Sequence, residues 1–455
     1  MNAQTMETLA GLARRTGGRL RGLDAGFARV VTDTRQLQAG DLFVALVGER
    51  FDGHDFIAQA RAAGAVGVLV SRPSEDAAPQ VLVNDTLAAL QRFASAWRDD
   101  FHLPVVGITG SAGKTTTRHL ATRVFSEFGS VLATVGNLNN HIGVPLTLCR
   151  LRAEHRAAVI EMGASHQREI ALLAGIAKPD IGIVTLAGDA HLEGFGSRDG
   201  VAHGKGEMFT ALGGRGTAVI NADDHYAPLW REMAGSSRVL SFGLDRPADV
   251  TARGVELADA GSRFELVCEA GCVAVDLHLP GRHNVRNALA AAAAGLAAGL
   301  PPAAVARRLG EARVVQGRGV WSVGRGGAHI SDDSYNANPT SVRAALETLA
   351  RRSGTRIAVL GDMAELGTAE EALHEQVGRD AQELGINALY TIGSLSRATA
   401  HGFGSRARHF DALPALLAAL TPQLGPDVSV LVKGSHSAHM ERVVEALAAD
   451  GGERA

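Results

Sequence analysis

Short apolar runs, each followed by a stretch with helical spacing, recur along the chain. In the first hundred residues the runs fall at Phe27–Val31, Leu42–Leu46, Val66–Val70 and Val81–Val83. Helical patterns cover Phe56–Ala63 and Thr86–Trp97, and Ser71–Gln80 is turn-rich. This predicts a small α/β unit. A second unit opens at Pro104, with runs at Val105–Thr109, Ala157–Glu161, Ile181–Leu186 and Thr217–Asn221, a helix over Lys114–Phe128 and further helical segments between. Such alternation predicts a parallel sheet, because parallel neighbours need long crossovers. Ala248–Leu279 alternates like antiparallel strands, and an alanine-rich helix over Asn284–Leu300 closes the unit. A third unit begins near Arg318. Its runs Ile357–Leu360, Ala388–Ile392 and Val428–Val432 are separated by helical patterns at Ser341–Arg352, Glu370–Leu384 and His439–Ala449. The expected fold class is α/β in three domains: a small N-terminal α/β domain (1–103), a central phosphate-loop domain with a mostly parallel sheet (104–315), and a Rossmann-like doubly wound domain (316–455).

Composition narrows the class. The 455 residues are 46% apolar and 20% charged, enough for several cores, which excludes wholesale disorder. Lysine plus arginine (45) nearly balances aspartate plus glutamate (48), for a net charge of −3. That balance argues against a general polyanion binder, so no nucleic-acid partner is expected. Only Lys114, Lys178, Lys205 and Lys433 are lysines; the other 41 basic residues are arginine, so each lysine stands out. Cys149, Cys268 and Cys272 make no disulfide framework and no zinc spacing, and are expected as small buried hydrophobes in a reducing cytoplasm. The start, Met1–Arg15, has no long apolar core, so no signal peptide is expected. The most membrane-like stretch, Asn287–Ala306, is mostly alanine and contains Pro301-Pro302; it reads as a buried helix and a turn. A cytoplasmic protein without a membrane span follows as the expectation.

The sharpest chemical signal is Gly107-Ile-Thr-Gly-Ser-Ala-Gly-Lys-Thr-Thr-Thr117, after an apolar strand and before a helix. Glycines there let backbone amides face phosphate oxygens, and the helix N-terminus adds positive potential. Lys114 would neutralise terminal phosphates and the Thr115 hydroxyl would meet Mg²⁺. The strict Walker spacing wants glycine where Ile108 stands. Alone, the loop means ATP or GTP binding and names no phosphate acceptor. Glu161 ends an apolar strand, a fitting place for a metal ligand, although a helix N-terminal charge is the plainer alternative. Read singly, His191 is a surface or core histidine and Lys205 a surface cation. Four further polar clusters, Gly281–Ala288, Asp332–Pro339, Leu360–Gly367 and Val432–Ser435, stand at expected strand ends or helix starts. Together they exceed what caps and turns require.

The ensemble resembles the Mur ligases of peptidoglycan synthesis, over essentially the whole chain. The resemblance is carried by Thr32-Asp-Thr-Arg35, Gly40–Leu46, Phe51–Phe56, Thr109–Thr117, Gly136–Pro145, Glu161–Ala164 and, most discriminating, Asp333-Ser-Tyr-Asn-Ala-Asn-Pro339. The sister ligase that adds the third amino acid lacks that last motif, and the Asp-Asn-Pro-Arg motif of its diaminopimelate-specific form is absent here. Ser165-His166 and the His436 that follows Lys433-Gly-Ser depart mildly from the family's usual residues.

The resemblance implies an ATP-dependent carboxylate–amine ligase of the branch that joins D-alanyl-D-alanine to UDP-N-acetylmuramoyl-tripeptide, with roles in cell-wall biogenesis, cell shape and cell division. It implies that Thr34, Arg35, Arg50, Asp52 and His54 bind the UDP part of the substrate, and that Asn137, Asn139 and Asn140 contact its sugar-peptide part. ATP would be held by Thr109, Gly110, Ser111, Ala112, Gly113, Lys114, Thr115 and Thr116, by Asn284 and Asn287 on the adenine side, by Arg318 at the γ-phosphate and by Asp333 at the ribose. Two magnesium sites would draw on Thr115, Glu161, His191 and Lys205, the last carbamylated by CO₂. A carbamate converts a cation into the hard oxygen donors magnesium prefers, and only a neutral amine reacts, so the site must favour deprotonation. Lys114, Lys205, His191 and Arg318 form the implied catalytic set, and Asn336 and Asn338 part of the dipeptide site. A monomer acting on small-molecule substrates is expected.

The implied chemistry passes the γ-phosphoryl group to the tripeptide carboxylate, and the amine of the dipeptide then displaces phosphate from the acyl phosphate. No protein nucleophile is needed. The rivals are a sister ligase adding diaminopimelate, lysine or glutamate, a small-molecule kinase or ATPase, and a nucleotide-binding protein without catalysis. Joint retention of Lys114, Glu161, His191 and Lys205 argues against the last.

Overall fold

A computed structural model describes residues 5–75 and 79–449. Residues 76–78 of the expected Ser71–Gln80 loop and the first four residues of the N-terminal stretch lie outside the described residues. The chain forms two compact units, one of Met1–Gly107, Phe128–Gly163 and Ala171–Asp180, the other of Ile108–Glu127, Ala164–Ile170 and Ile181–Ala455.

The first unit holds a five-stranded sheet in the order Arg19–Arg21, Gln80–Leu82, Gly67–Val70, Leu42–Val44, Val30–Val31, antiparallel at the first pair and parallel elsewhere. Arg19–Arg21 has no apolar run because it is an exposed edge, which is why its spacing gives no signal. Phe43, Ala45, Val68 and Val70 pack with Ile57 and Ala60 of the Ile57–Ala62 helix. The helix Thr86–Asp99 starts where the Asp85 carboxylate accepts the Ala88 N–H. The same unit pairs Ser130–Ala133 in parallel with His155–Glu161.

In the second unit Ile181–Val184, Thr217–Asn221 and Arg238–Phe242 run parallel. The expected alternation over Ala248–Leu279 is a meander of Thr251–Ala258, Gly261–Cys268 and Gly271–Leu277. The Arg282–Ala297 helix buries Ala288 through Ala294 and passes close to the Lys114–Phe125 helix, where a Cβ on Gly295 would lie 2.5 Å from Val124 Cγ1. No helix among the described residues is long and apolar enough to cross a membrane. Cys149 is buried as expected, but Cys272 is exposed and Cys268 half-buried. Cys268 ends one strand and Cys272 lies next to the start of the following one, either side of the 269–270 turn of the meander.

The last sheet has the order Val320–Val323, His329–Asp333, Val428–Lys433, Thr355–Gly361, Ala388–Ile392, Ala407–Phe410, parallel except for the first pair. Side chains alternate across it. Ala358, Leu360 and Leu431 join one helix-covered core with Leu346 and Val377, while Ile357, Val359, Val430 and Val432 join the other with Leu416 and Val443. Apolar residues on both faces make the runs continuous, as expected of a doubly wound sheet.

Leu346→Ala removes a fully buried side chain from the first of these cores. It should lower stability by about 2–5 kcal/mol, whereas Leu23→Ala, at a position 82% exposed, should change it by less than about 0.5 kcal/mol. Urea unfolding followed by circular dichroism tests this; equal midpoints for the two variants would contradict the layer assignment.

Candidate active site

The phosphate loop is set by what surrounds its glycines. Strand Val105–Thr109 is buried throughout, and the helix begins at Lys114 with Gly113 as a left-handed N-cap (φ 79°) and no side-chain cap. The helix N-terminus thus faces the loop with its positive end, the geometry that favours an anion. A Cβ on Gly110 would lie 1.9 Å from Thr185 Oγ1, and one on Gly113 2.4 Å from Asn287 Oδ1. The loop is braced from outside. Thr185 Oγ1 donates to the Ala112 carbonyl (2.6 Å), Ser111 Oγ donates to the Gly188 carbonyl (3.1 Å), and the Ser111 N–H donates to the Leu186 carbonyl (2.9 Å). Lys114 Nζ lies across the loop on the Gly110 carbonyl at 2.6 Å. Thr109 is buried below it.

One cleft joins this loop to the third segment. Ala112, Gly113, Thr116, Asn284, Asn287, Arg318 and Asp333 line it, with about 1040 Å³ of space including its open mouth, room enough for a nucleotide. Arg318 Nη2 donates to Thr115 Oγ1 (3.1 Å), and its guanidinium lies 4.2 Å from the Tyr335 ring centroid. Asn284 donates to the Pro280 carbonyl and Thr117 Oγ1 to Asn287 Oδ1. Asp333 accepts from Lys433 Nζ at 2.7 Å, and Lys433 also donates to the Asn336 carbonyl. Burial pushes Asp333 up and Lys433 down, each toward its neutral form, against their mutual attraction. His283 also lines the cleft. Desolvation, with the charges of Lys433 and Arg286, pulls it down to about 4, so its imidazole is neutral at physiological pH.

Lys433, His283 and Tyr335 were not singled out as site residues from the sequence. The scarcity of lysine was the available signal for Lys433; nothing in the spacing distinguishes His283 or Tyr335. Asn338 caps the Pro339–Ala350 helix, its side chain accepting the Ser341 N–H and donating to the Ser111 carbonyl. Asn336 Oδ1 accepts the Ala337 N–H. Asn336 is engaged locally, whereas Asn338 also reaches the phosphate loop.

Lys205 overturns the plain expectation of a surface cation. It is fully buried on the Arg198–Thr210 helix, donates to the Ala164 carbonyl (2.7 Å) and lies 4.9 Å from the Phe195 ring centroid. Its neighbours on the helix are Gly204 and Gly206, where a Cβ would meet Phe195 and Met233 at 2.4 Å. Burial, then the positive charge of Lys114, holds its amine well below the ordinary lysine range. His191 caps the short Leu192–Phe195 helix in left-handed backbone, and its Nδ1–H donates to Glu365 Oε2. That hydrogen bond holds the Glu365 carboxyl below its usual range. Among the described residues no three His, Cys, Asp or Glu side chains converge as a ready metal cage. The Thr115 hydroxyl, and the buried amine once converted to a carbamate, supply oxygen donors that fit a hard cation, with the His191 imidazole as a further nitrogen donor.

In the first unit Glu161 is 2% exposed at its strand end, and its Oε1 accepts from Asn139 Nδ2 at 2.9 Å. Asn140 Oδ1 accepts the Ile142 and Gly143 N–H groups, while Asn137 is exposed. A groove lined by Thr34, Arg35, Phe43 and Gln59 carries two exposed aromatics, Phe51 (55%) and Phe56 (41%). Arg35 pairs with Asp33. Arg50 is exposed and is not among the lining residues. Asp52 and His54 instead brace the loop. Asp52 accepts the His54 N–H and Nδ1–H and an Arg72 N–H, which hold its carboxyl at about 2. His54 Nε2 accepts the Ser71 N–H. Both ring nitrogens are thus committed.

Gly113→Ala forces left-handed backbone on alanine and drives its Cβ into Asn287, so affinity for a non-hydrolysable ATP analogue should fall tenfold or more, read by calorimetry; parent-like affinity would show that the loop tolerates a Cβ. In carbonate-free buffer Lys205→Met should be more stable than the parent. A lysine whose folded pKa is depressed costs most below that pKa, and the cost vanishes as pH climbs to the unfolded value near 10.5. The gain should therefore shrink between neutral pH and pH ~10 in urea titrations; a gain that is flat or grows with pH would refute it.

Three family models match consecutive stretches: the Mur ligase family catalytic domain over residues 27–98, the Mur ligase middle domain over 108–295, and the Mur ligase glutamate ligase domain over 317–436. The chain is 44% identical to the UDP-N-acetylmuramoyl-tripeptide–D-alanyl-D-alanine ligase of Escherichia coli, covering 98% of this chain and 99% of that one. The structure is similar to a crystal structure of MurF from Acinetobacter baumannii, with a TM-score of 0.91, 36% identity and coverage of 95% and 97%. It is also similar to the MurF ligase of Thermotoga maritima in complex with ADP, with a TM-score of 0.82, 27% identity and coverage of 92% and 96%. The chain belongs to the Mur ligase family.

Proposed function

We propose that this chain is an ATP-dependent ligase that joins D-alanyl-D-alanine to UDP-N-acetylmuramoyl-tripeptide, forming the pentapeptide precursor of peptidoglycan with ADP and phosphate. Full-length likeness to ligases named for this reaction supports it. The observation that carries the chemistry is Arg318 on Thr115, an arginine of the third segment brought onto the phosphate loop. The reading keeps three functional segments: residues 1–103 for the UDP part, 104–315 for ATP, and 316–455 for completing the ATP site and receiving the dipeptide.

A carboxylate is a poor electrophile, and its negative charge repels a triphosphate. Lys114 and the helix N-terminal amides offset the charge on the terminal phosphates. Arg318 adds a cation at the γ-phosphate, steadied by the Tyr335 ring. Asp333, Asn284 and Asn287 hold the nucleoside end. The acyl phosphate then meets the dipeptide amine, and exclusion of water by the third segment protects it from hydrolysis. Thr115, Glu161, His191 and carbamylated Lys205 are the assigned ligands of magnesium, which when bound supplies further neutralisation of phosphate and carboxylate charge. Burial beside Lys114 favours the neutral Lys205 amine that CO₂ requires.

Phosphate release from ATP should require both UDP-MurNAc-tripeptide and D-Ala-D-Ala, and mass spectrometry should find the pentapeptide product. Release indifferent to the dipeptide would point to a kinase or ATPase; a product carrying another amino acid would point to a sister ligase. ¹³C-bicarbonate should give a carbamate resonance that disappears in Lys205→Arg, and a resonance surviving that change would refute the lysine assignment.

A further inference from the structure

The loop after the Thr355–Gly361 strand carries an acidic side chain onto an assigned metal ligand. Five described non-glycine residues have positive φ, and two of them, His191 (56°) and Glu365 (62°), touch each other. Left-handed backbone at such residues persists where the surroundings over-determine it. Here both loops are held. Glu365 lies between Met363 and Leu366, both sunk in the core. The Met363 N–H donates to His374 Nε2 (2.9 Å) and the Ala364 N–H to Ser435 Oγ (2.7 Å). On the other side the Glu193 N–H reaches the Glu365 carbonyl (3.4 Å), and a Cβ on Gly367 would lie 3.2 Å from Glu193 Cα. The loops therefore meet along backbone as well as side chain.

A carboxylate only accepts hydrogen bonds, so the contact places the ring proton on Nδ1 and leaves the Nε2 lone pair for a cation. Ser165 Oγ is 3.4 Å from the same Nδ1, too far to orient the ring alone. We propose that Glu365 is a positioning residue that fixes the tautomer and direction of His191, so that Nε2 is presented to magnesium and metal affinity depends on the docked Glu365 loop. This rests on the assignment of His191 as a magnesium ligand. The arrangement is a carboxylate–histidine–metal relay, in which losing the outer carboxylate typically weakens metal affinity about 10–100-fold.

The test is a titration of the full-length protein with Mn²⁺ in the presence of a non-hydrolysable ATP analogue, with free Mn²⁺ read by electron paramagnetic resonance. Glu365→Ala should weaken Mn²⁺ binding by roughly tenfold, with analogue affinity at saturating Mn²⁺ unchanged. Glu365→Gln, which keeps an acceptor oxygen and the side-chain shape, should weaken it less. His191→Ala should weaken it at least as much as Glu365→Ala, and adding Glu365→Ala to His191→Ala should cost nothing more. Parent-like Mn²⁺ affinity in Glu365→Ala while His191→Ala binds weakly would overturn the role of Glu365 and leave the His191 assignment standing. Parent-like affinity in both would remove the assignment itself. A lowered melting temperature with unchanged Mn²⁺ affinity, or effects of the two substitutions that simply add, would also overturn the proposal.

Discussion

At two points in the phosphate loop there is no space for a Cβ, and the nucleotide site is organised around them. Gly110 is pressed against Thr185 and Gly113 against Asn287. A side chain at either would push the loop off Thr185, just past the Ile181–Val184 strand, or off the Arg282–Ala297 helix. Because both are glycine, the backbone turns with positive φ directly into the Lys114–Phe125 helix. That turn leaves the helix without a side-chain cap at its N-terminus and sets Lys114 and Thr115 in its first turn. Asn287 follows from the same closeness, since its amide must lie against Gly113. Thr185 closes the other side by taking the Ala112 carbonyl.

Charge in this region is managed by burial more than by pairing. Lys205 has one carbonyl partner and no carboxylate among its hydrogen bonds, so desolvation decides its state. Lys433 does have a carboxylate, yet burial outweighs the attraction for both members of the pair. His283 beside them is neutral for the same reason. Arg286 and Arg318 also line the cleft, Arg286 paired with Asp223 and Asp245 and Arg318 set on Thr115.

What could be read from the sequence follows from the period of the burial. Strands buried on both faces, such as Thr217–Asn221 and Val428–Lys433, leave continuous apolar runs and were placed to within a residue. Edge strands such as Arg19–Arg21 and Ala407–Phe410 alternate weakly and were missed. Lys114 was conspicuous in an arginine-rich chain, yet the same scarcity of lysine did not bring Lys433 into the candidate site. Residues defined only by a long-range contact were not legible. Nothing near Glu365 in sequence points to His191, 174 positions away. His54 came only from the family resemblance, and its bracing hydrogen bonds to Asp52 and Ser71 left no mark in the sequence pattern.

The division of labour within the second unit has a chemical logic. An acyl phosphate formed before the amine is in place is open to water, so activation is best withheld until the acceptor segment is docked. Lys114, Thr115, His191 and Lys205 all precede residue 318 in the chain, yet two of them reach their observed geometry through later residues: Thr115 through Arg318, and His191 through Glu365. Both contacts come from loops of the last sheet's segment, one ahead of its first strand and one following the Thr355–Gly361 strand. On the proposed roles, the third segment thus completes both the γ-phosphate end and the metal end. If the segment after residue 317 receives the dipeptide, as proposed, losing these two contacts would leave the phosphate loop able to bind a nucleotide but without Arg318 and Glu365, which would couple phosphoryl transfer to the acceptor's segment.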